Sequence, residues 1–340
     1  MDIFAELRKK IKDSSTRVVF PEGREEKILM AAARIVEQKI ATPLVLGETT
    51  EIQAIAAEKK INLTGITIKK PADPAKMDTY VAQYSKDRNF PAGATRRLLS
   101  KPLYYGAMMV KMNDADAMVA GITSRGMSCA KTIIPASGLI IGMQKGITTP
   151  SSFFLMDIPG YKGEEGSLLI FADAAINPDP TPEELADIAL ASAASARNLL
   201  GWEPRVALLS FSTKGSGEHP TVNKVIEAVR IIKQHAPDLH VDGELQADAA
   251  LAPKVAKRKI KGPPGPVAGR ANVLIFPDLN AGNISYKLVQ HLANAKAFGP
   301  ILQGFARPVS DLSRGATVDD IIGATTLVVL EVQAHDNSGY

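Results

Sequence analysis

The feature that most constrains this chain is a regular exchange of short apolar runs for amphipathic stretches. Residues 17–20 form a valine-containing run that stops at Pro21, Glu22 and Gly23. Residues 24–38 then place Ile28, Leu29, Ala32 and Ile35 on one helical face, 43–46 return to a strand pattern, and 50–59 to a helical one. Strand–helix alternation predicts a parallel sheet flanked by helices, because parallel neighbours need a crossover connection.

The exchange recurs further on. Helical patterns are expected at 2–12, 104–112, from Pro220 to 233, and at 284–292. Strands are expected at 117–121, 206–211, 272–276 and, last, 328–332, with a frayed tail beyond. A helix opens at Thr181-Pro182-Glu183-Glu184, where a capping hydroxyl, a first-turn proline and acids suit the positive end of the helix dipole. It runs to about Leu200 and ends at Gly201. The runs SSFFLM and SLLIFADAAI, separated by IPGYKGEEG, suit an antiparallel pair. Residues 60–100 read as less regular, and the basic, Pro- and Gly-rich 252–269 as an exposed loop or boundary.

The 340 residues suggest two domains. The pattern breaks at GMQKGITTP, and a C-terminal helix and strand need a sheet to join. The expected division is 1–147 plus 303–340, a discontinuous first domain, and 148–302 as the second. A net charge of +4 is small for this length, and the run Lys257, Arg258, Lys259, Lys261 is local, so the basic residues read as solvated surface rather than a nucleic-acid face. Cys129 is the only cysteine, so no intrachain disulfide can form, which fits a reducing compartment. The N-terminal residues carry frequent charges and resemble neither a signal peptide nor a membrane anchor. A cytoplasmic protein, with no membrane partner, is the expectation.

Three segments carry residue types suited to chemistry. In GPILQGFARPVSDLSRGATVDDII, Ser313, Arg314 and Asp320 fall within eight positions before and at a helix start. A hydroxyl, a fixed cation and a carboxylate there can bind an anion and move a proton. Equally, Thr317 and Asp320 have capping-box spacing, Asp319 can be a solvated first-turn acid, and Arg314 can neutralise Asp311. In LLSFSTKGSGEHPTV, Ser212, Thr213 and Lys214 follow a strand and precede a helix, a place for an anion or simply a polar connection. In DAMVAGITSRGMSCAKT, a buried strand leads to Thr123, Ser124, Arg125, Ser128 and Lys131, where the two cations can hold phosphate or be solvated. The five histidines show no HxxxH pair, and GxGxxG, the Walker loop and GxSxG are absent. No metal and no cofactor are expected.

Long segments in one order carry a resemblance: VVFPEG, KPLYYGAMMV, DADAMVAG, FADAAINPDPTPEELADIA, EPRVALLSFSTKGS, DGELQADAA, FPDLNAGNISYK and GPILQGFARPVSDLSRGATVDDI. Through them nearly the whole chain resembles the phosphate acetyl/butyryl transferase family. The resemblance implies reversible transfer of acetyl between CoA and inorganic phosphate through a ternary complex. It implies two α/β domains on the isocitrate/isopropylmalate dehydrogenase-like scaffold, an active site in the interdomain cleft, and a homodimer. Asp320 matches the aspartate that takes the CoA thiol proton, Ser313 the serine bonded to the reacting group, and Arg314 the arginine that balances developing charge. With the loop residues above, Asn283, Tyr286 and His291 complete the expected substrate contacts. Two positions depart from the family pattern: Ile134 and His291 stand where arginines are expected, and Arg125 or Lys131 can replace the lost charge. A larger acyl group, or a non-catalytic CoA- or phosphate-binding relative, are the alternatives.

Overall fold

A strand buried on both faces must be apolar along its whole length, and the early runs obey this. In the computed structural model, which describes residues 3–11, 15–71, 73–123, 132–144 and 147–338, the chain divides into two compact units. The first is Met1–Lys145 with Phe305–Tyr340, and the second Gly146–Gly304. The first unit begins with α1 (Ile3–Lys9), β1 (Arg17–Phe20), α2 (Glu26–Glu37), β2 (Thr42–Leu46) and α3 (Thr49–Lys59). Val18, Val19 and Phe20 are fully buried, as are Ile28, Leu29, Ala32 and Ile35 of α2. After β3 (Thr67–Lys69) come α4 (Pro74–Arg88), α5 (Ala92–Leu99) and α6 (Pro102–Lys111), then β4 (Ala117–Ala120) and α7 (Ile133–Ile140). Residues 60–100 are thus mostly helical. Their moderate apolar content hid this, because α4 buries only Met77, Tyr80, Val81 and Tyr84 along an otherwise polar surface.

The second unit starts with an antiparallel pair, β5 (Ser151–Asp157) and β6 (Leu168–Ala172), as the two apolar runs implied. Helix α8 (Pro182–Ser195) opens with a full capping box, in which Thr181 and Glu184 each accept the other's backbone N–H. It closes through a wider turn at Ala196–Leu200 and left-handed Gly201. Then follow β7 (Arg205–Leu209), α9 (Pro220–His235), β8 (His240–Leu245), α10 (Ala247–Leu251), α11 (Pro253–Lys259), β9 (Val273–Ile275), α12 (Leu279–Leu292) and β10 (Lys296–Gln303). The stretch 252–269 is not a loop throughout: it holds α11, and Val267 and Ala268 are buried. Strand order in this unit is β10-β5-β6-β9-β7-β8, antiparallel for the first three and parallel for the rest. Under β7 a buried Arg205 makes paired bonds of 2.7 Å to both oxygens of Glu165.

The chain returns to the first unit with β11 (Val309–Asp311) and α13 (Val318–Ser338). The expected final strand at 328–332 is a correction: Val328 to Val332 lie inside α13. An apolar run buried on every side fits either period, and the cap at Thr317 commits the segment to helix. Strand order in the first unit is β3-β2-β1-β4-β11, with every pairing parallel. Among the described residues no helix is long and apolar enough to cross a membrane.

Candidate active site

The sheet of the first unit joins two loops that are far apart in sequence. β4 and β11 run parallel in the register Met118↔Val309, Val119↔Ser310, Ala120↔Asp311. The loops that leave them, beginning at Gly121 and Leu312, therefore emerge side by side at the carboxyl edge of the sheet. Leu312 N–H donates to the Ala120 carbonyl at 2.7 Å. Gly121 has φ +124, and a Cβ there would lie 2.2 Å from Asp311 Oδ1 and 2.8 Å from the Leu312 backbone. Only glycine permits this approach.

The connection from β11 to α13 is tied down at each end. Ala316 N–H donates to the Ser313 carbonyl at 2.8 Å, and the Lys27 ammonium on α2 donates to the Ala316 carbonyl at 2.9 Å. Thr317 and Asp320 form the anticipated box. Asp320 Oδ2 accepts from Thr317 N–H at 2.9 Å and from its hydroxyl at 2.8 Å, while Asp320 N–H donates to Thr317 Oγ1 at 3.1 Å. Both bonds fall on Oδ2. Asp320 Oδ1 has no hydrogen-bond partner among the described residues. The capping and proton-accepting readings of Asp320 therefore coexist on its two oxygens. Asp319 pairs with Arg34 at the surface, at 3.0 Å. Exposed Arg314 makes no hydrogen bond or ion pair among the described residues, so it does not neutralise Asp311. The hydroxyl of exposed Ser313 accepts, among the described residues, only a long bond of 3.4 Å from Gly315 N–H.

On the other side of β4 lies Thr123, whose N–H and hydroxyl donate to Glu22 Oε1 at 2.8 and 2.6 Å. Glu22 Oε2 accepts from Gly121 N–H at 2.7 Å and Ile122 N–H at 3.2 Å. A carboxylate taking four donors from one turn fixes that turn. Glu22 is a candidate site residue that sequence reasoning missed; its signal was an acid two residues after a buried strand in VVFPEG. It stands in the wall of a pocket of about 610 Å³ in this unit, lined from the ends of three strands by Pro21 and Gly23, Leu46 and Gly47, and Gly121 and Thr123. Ile134, at a position where an arginine was expected, lies in the first turn of α7. Ser124, Arg125, Ser128 and Lys131 lie outside the described residues.

The expected contacts of the second unit are engaged in local structure. Ser212 is buried; its hydroxyl donates to Glu244 Oε1 at 2.9 Å and accepts from Gly217 N–H at 3.0 Å. Buried Thr213 exchanges bonds with Gln246. Lys214 pairs with Asp242 and donates to the Gly243 carbonyl at 2.8 Å. These residues lock the β7–α9 loop onto β8, which is the polar-connection reading. In α12, Asn283 donates to the Ala174 carbonyl at 3.0 Å, Tyr286 stacks on Phe154 with centroids 4.2 Å apart, and His291 is exposed in the last turn.

Fold likeness extends to a 4-hydroxythreonine-4-phosphate dehydrogenase from Burkholderia phymatum, 12% identical, with a TM-score of 0.54 over 92% of this chain and 98% of that one. The class is thus the two-unit, mostly parallel α/β scaffold seen in such dehydrogenases. Within that class, the family model for phosphate acetyl/butaryl transferase matches residues 2–329, and the chain belongs to this family. A phosphate acetyltransferase from Thermoanaerobacterium thermosaccharolyticum is 43% identical over 98% of this chain and the whole of that protein. The crystal structure of a phosphotransacetylase from Streptococcus pyogenes is 38% identical, with a TM-score of 0.87 over 97% of this chain and 98% of that one.

Proposed function

We propose that the protein is a phosphate acetyltransferase, moving an acetyl group reversibly between CoA and inorganic phosphate. The observation that carries the reading is the Ser313–Asp320 loop: one carboxylate oxygen holds the helix cap, and among the described residues the other is open and a fixed cation without a partner stands six residues before it. A thiol of pKa about 8.5 is mostly protonated near neutral pH, so a base at hand speeds its attack. In the direction of CoA acylation, Asp320 Oδ1 takes the thiol proton and sulfur attacks the carbonyl carbon of acetyl phosphate. The C–S bond forms as the carbonyl oxygen gains charge. The C–O bond to phosphate then breaks and phosphate leaves with the electron pair. The Ser313 hydroxyl and the permanently charged Arg314 serve the oxyanion and the departing phosphate. In the reverse direction phosphate attacks, and Asp320 returns its proton to the thiolate.

The protein is further proposed to act in the cytoplasm as a homodimer, with acetyl as the preferred acyl group. The test follows thioester absorbance with CoA and acetyl phosphate. Turnover is expected, faster than with butyryl phosphate. Faster turnover with butyryl phosphate would overturn the acetyl assignment. No turnover with either donor at millimolar concentration would overturn the enzyme reading in favour of a CoA- or phosphate-binding protein.

A further inference from the structure

The segment that leaves β1 sends two side chains of opposite charge to the edge where the loops after β4 and β11 emerge. Glu22 follows the strand by two residues, and Lys27 lies in the first turn of α2. Their work is complementary. Glu22 accepts N–H groups of the turn after β4, and Lys27 donates to a carbonyl of the turn after β11. The acyl-transfer steps give Lys27 no part, yet it is the side chain that reaches the loop on which they depend.

The Ser313 carbonyl accepts from Ala316 N–H at 2.8 Å, so Ser313 to Ala316 close one turn with Arg314 and Gly315 at its tip. Residues 313–315 are exposed, whereas Ala316 is 4% exposed. The turn therefore stands on a buried foot. Its near end is held by Leu312 N–H on the Ala120 carbonyl. Its far end is held by Lys27, whose ammonium gives the Ala316 carbonyl its one hydrogen bond among the described residues, at 2.9 Å. A carbonyl at a buried residue needs a partner, and a charged donor makes a stronger bond than a neutral one. The other tie from α2, Arg34 to Asp319, joins side chains 48% and 84% exposed and contributes little. Without the Lys27 ammonium the carbonyl must be met by water, and the turn shifts to admit it.

We propose that Lys27 is a positioning residue for acyl transfer: by holding the Ala316 carbonyl it fixes where the Ser313 hydroxyl and the Arg314 guanidinium stand, without touching a reacting atom itself. The inference rests on the acetyltransferase reading, and its test separates the two. Lys27→Met removes the ammonium and keeps a good helix former on α2, and Lys27→Ala serves should the first variant fail to fold. A misplacement of about 1 Å can cost about a hundredfold in rate, so kcat with CoA and acetyl phosphate is expected to fall at least about tenfold. The KM for CoA is expected to stay within about threefold of wild type, because the parts of a substrate remote from the reacting atom supply most of its binding. Hydrogen exchange of residues 313–317, read by mass spectrometry, is expected to quicken in the variant, and this readout needs no turnover. In an Arg314→Ala background the Lys27 substitution is expected to cost a smaller factor in kcat, because one of the groups it would misplace is already gone. A kcat within about threefold of wild type, a loss carried by the KM for CoA instead, unchanged exchange at 313–317, or equal cost in the two backgrounds overturns the positioning role. A wild-type protein without turnover, whose 313–317 exchange nevertheless quickens on substitution of Lys27, overturns the acetyltransferase reading alone.

Discussion

The proposed mechanism gives Asp320 two jobs, and its two oxygens allow them to be separated. Asp320→Asn keeps an amide oxygen able to accept from the Thr317 N–H and hydroxyl, so the bonds at 2.9 and 2.8 Å survive in weaker, uncharged form. The first-turn charge is lost, which costs about 0.3–1 kcal/mol at a partly exposed helix start. The proton acceptor is lost as well, and a positioned acid or base is worth roughly 10²–10⁴-fold in rate. Thr317→Ala does the reverse: it removes the hydroxyl that takes the Asp320 N–H at 3.1 Å, costing about 1 kcal/mol, and leaves Oδ1 in place. The expected pattern is a large fall in kcat with a small fall in stability for Asp320→Asn, and for Thr317→Ala a fall in stability with kcat within about tenfold of wild type. Steady-state thioester formation and urea unfolding of the same preparations measure both. If Asp320→Asn keeps wild-type kcat, or Thr317→Ala loses as much rate as Asp320→Asn, the division of labour between the two oxygens is refuted.

Three further outcomes are expected. Arg205→Met strips Glu165 of its paired 2.7 Å bonds where the side chains are only 10% and 13% exposed; it should cost about 3–5 kcal/mol in urea unfolding, and a loss under about 1 kcal/mol would contradict this. Gly121→Ala combines positive φ with a clash against Asp311 and Leu312 and should cost at least about 2 kcal/mol; a variant as stable as wild type would disprove the close approach. Glu331 in α13 is partly exposed as a residue, but its Oε2 is buried with no hydrogen-bond partner among the described residues, and burial pushes its carboxyl from 4.5 up to about 8. Between those values the folded state keeps a proton that the unfolded chain releases, so this group's contribution to stability falls as pH rises, by at most about 1.4 kcal/mol per pH unit. Glu331→Gln should flatten that slope and be the more stable protein at pH 8; equal slopes would remove Glu331 as the cause.

Much of the local structure was legible because it is local. The capping box at Thr181 and Glu184 and the one at Thr317 and Asp320 are three-residue relations, readable from spacing. The antiparallel β5–β6 pair could be read from two apolar runs around a glycine-rich turn. Misreadings arose where one local pattern satisfied two structures: Val328 to Val332 has the β-branched content of a strand yet lies in a helix that is buried from Ile321 to Leu330. α11 escaped notice because four basic residues and flanking proline and glycine masked its single buried residue, Ala256.

By itself, then, the sequence determined the alternation of strands and helices, the helix caps, the family, and the residue types of the Ser313–Asp320 loop. The tertiary structure alone decided which loops became neighbours and which polar residues remained open. Strand register is a long-range relation: pairing Ala120 with Asp311 brings together segments separated by 190 positions, and nothing within either segment specifies the other. The same holds for hydrogen-bond capacity. Ser212, Thr213 and Lys214 have the composition of an anion-binding loop, but β8 supplies partners for Ser212 and Lys214 and Gln246 just beyond it one for Thr213, whereas Arg314 and Asp320 Oδ1 meet no partner among the described residues. A side chain's chemistry is written in its residue type; whether that chemistry is available depends on what the rest of the chain packs against it.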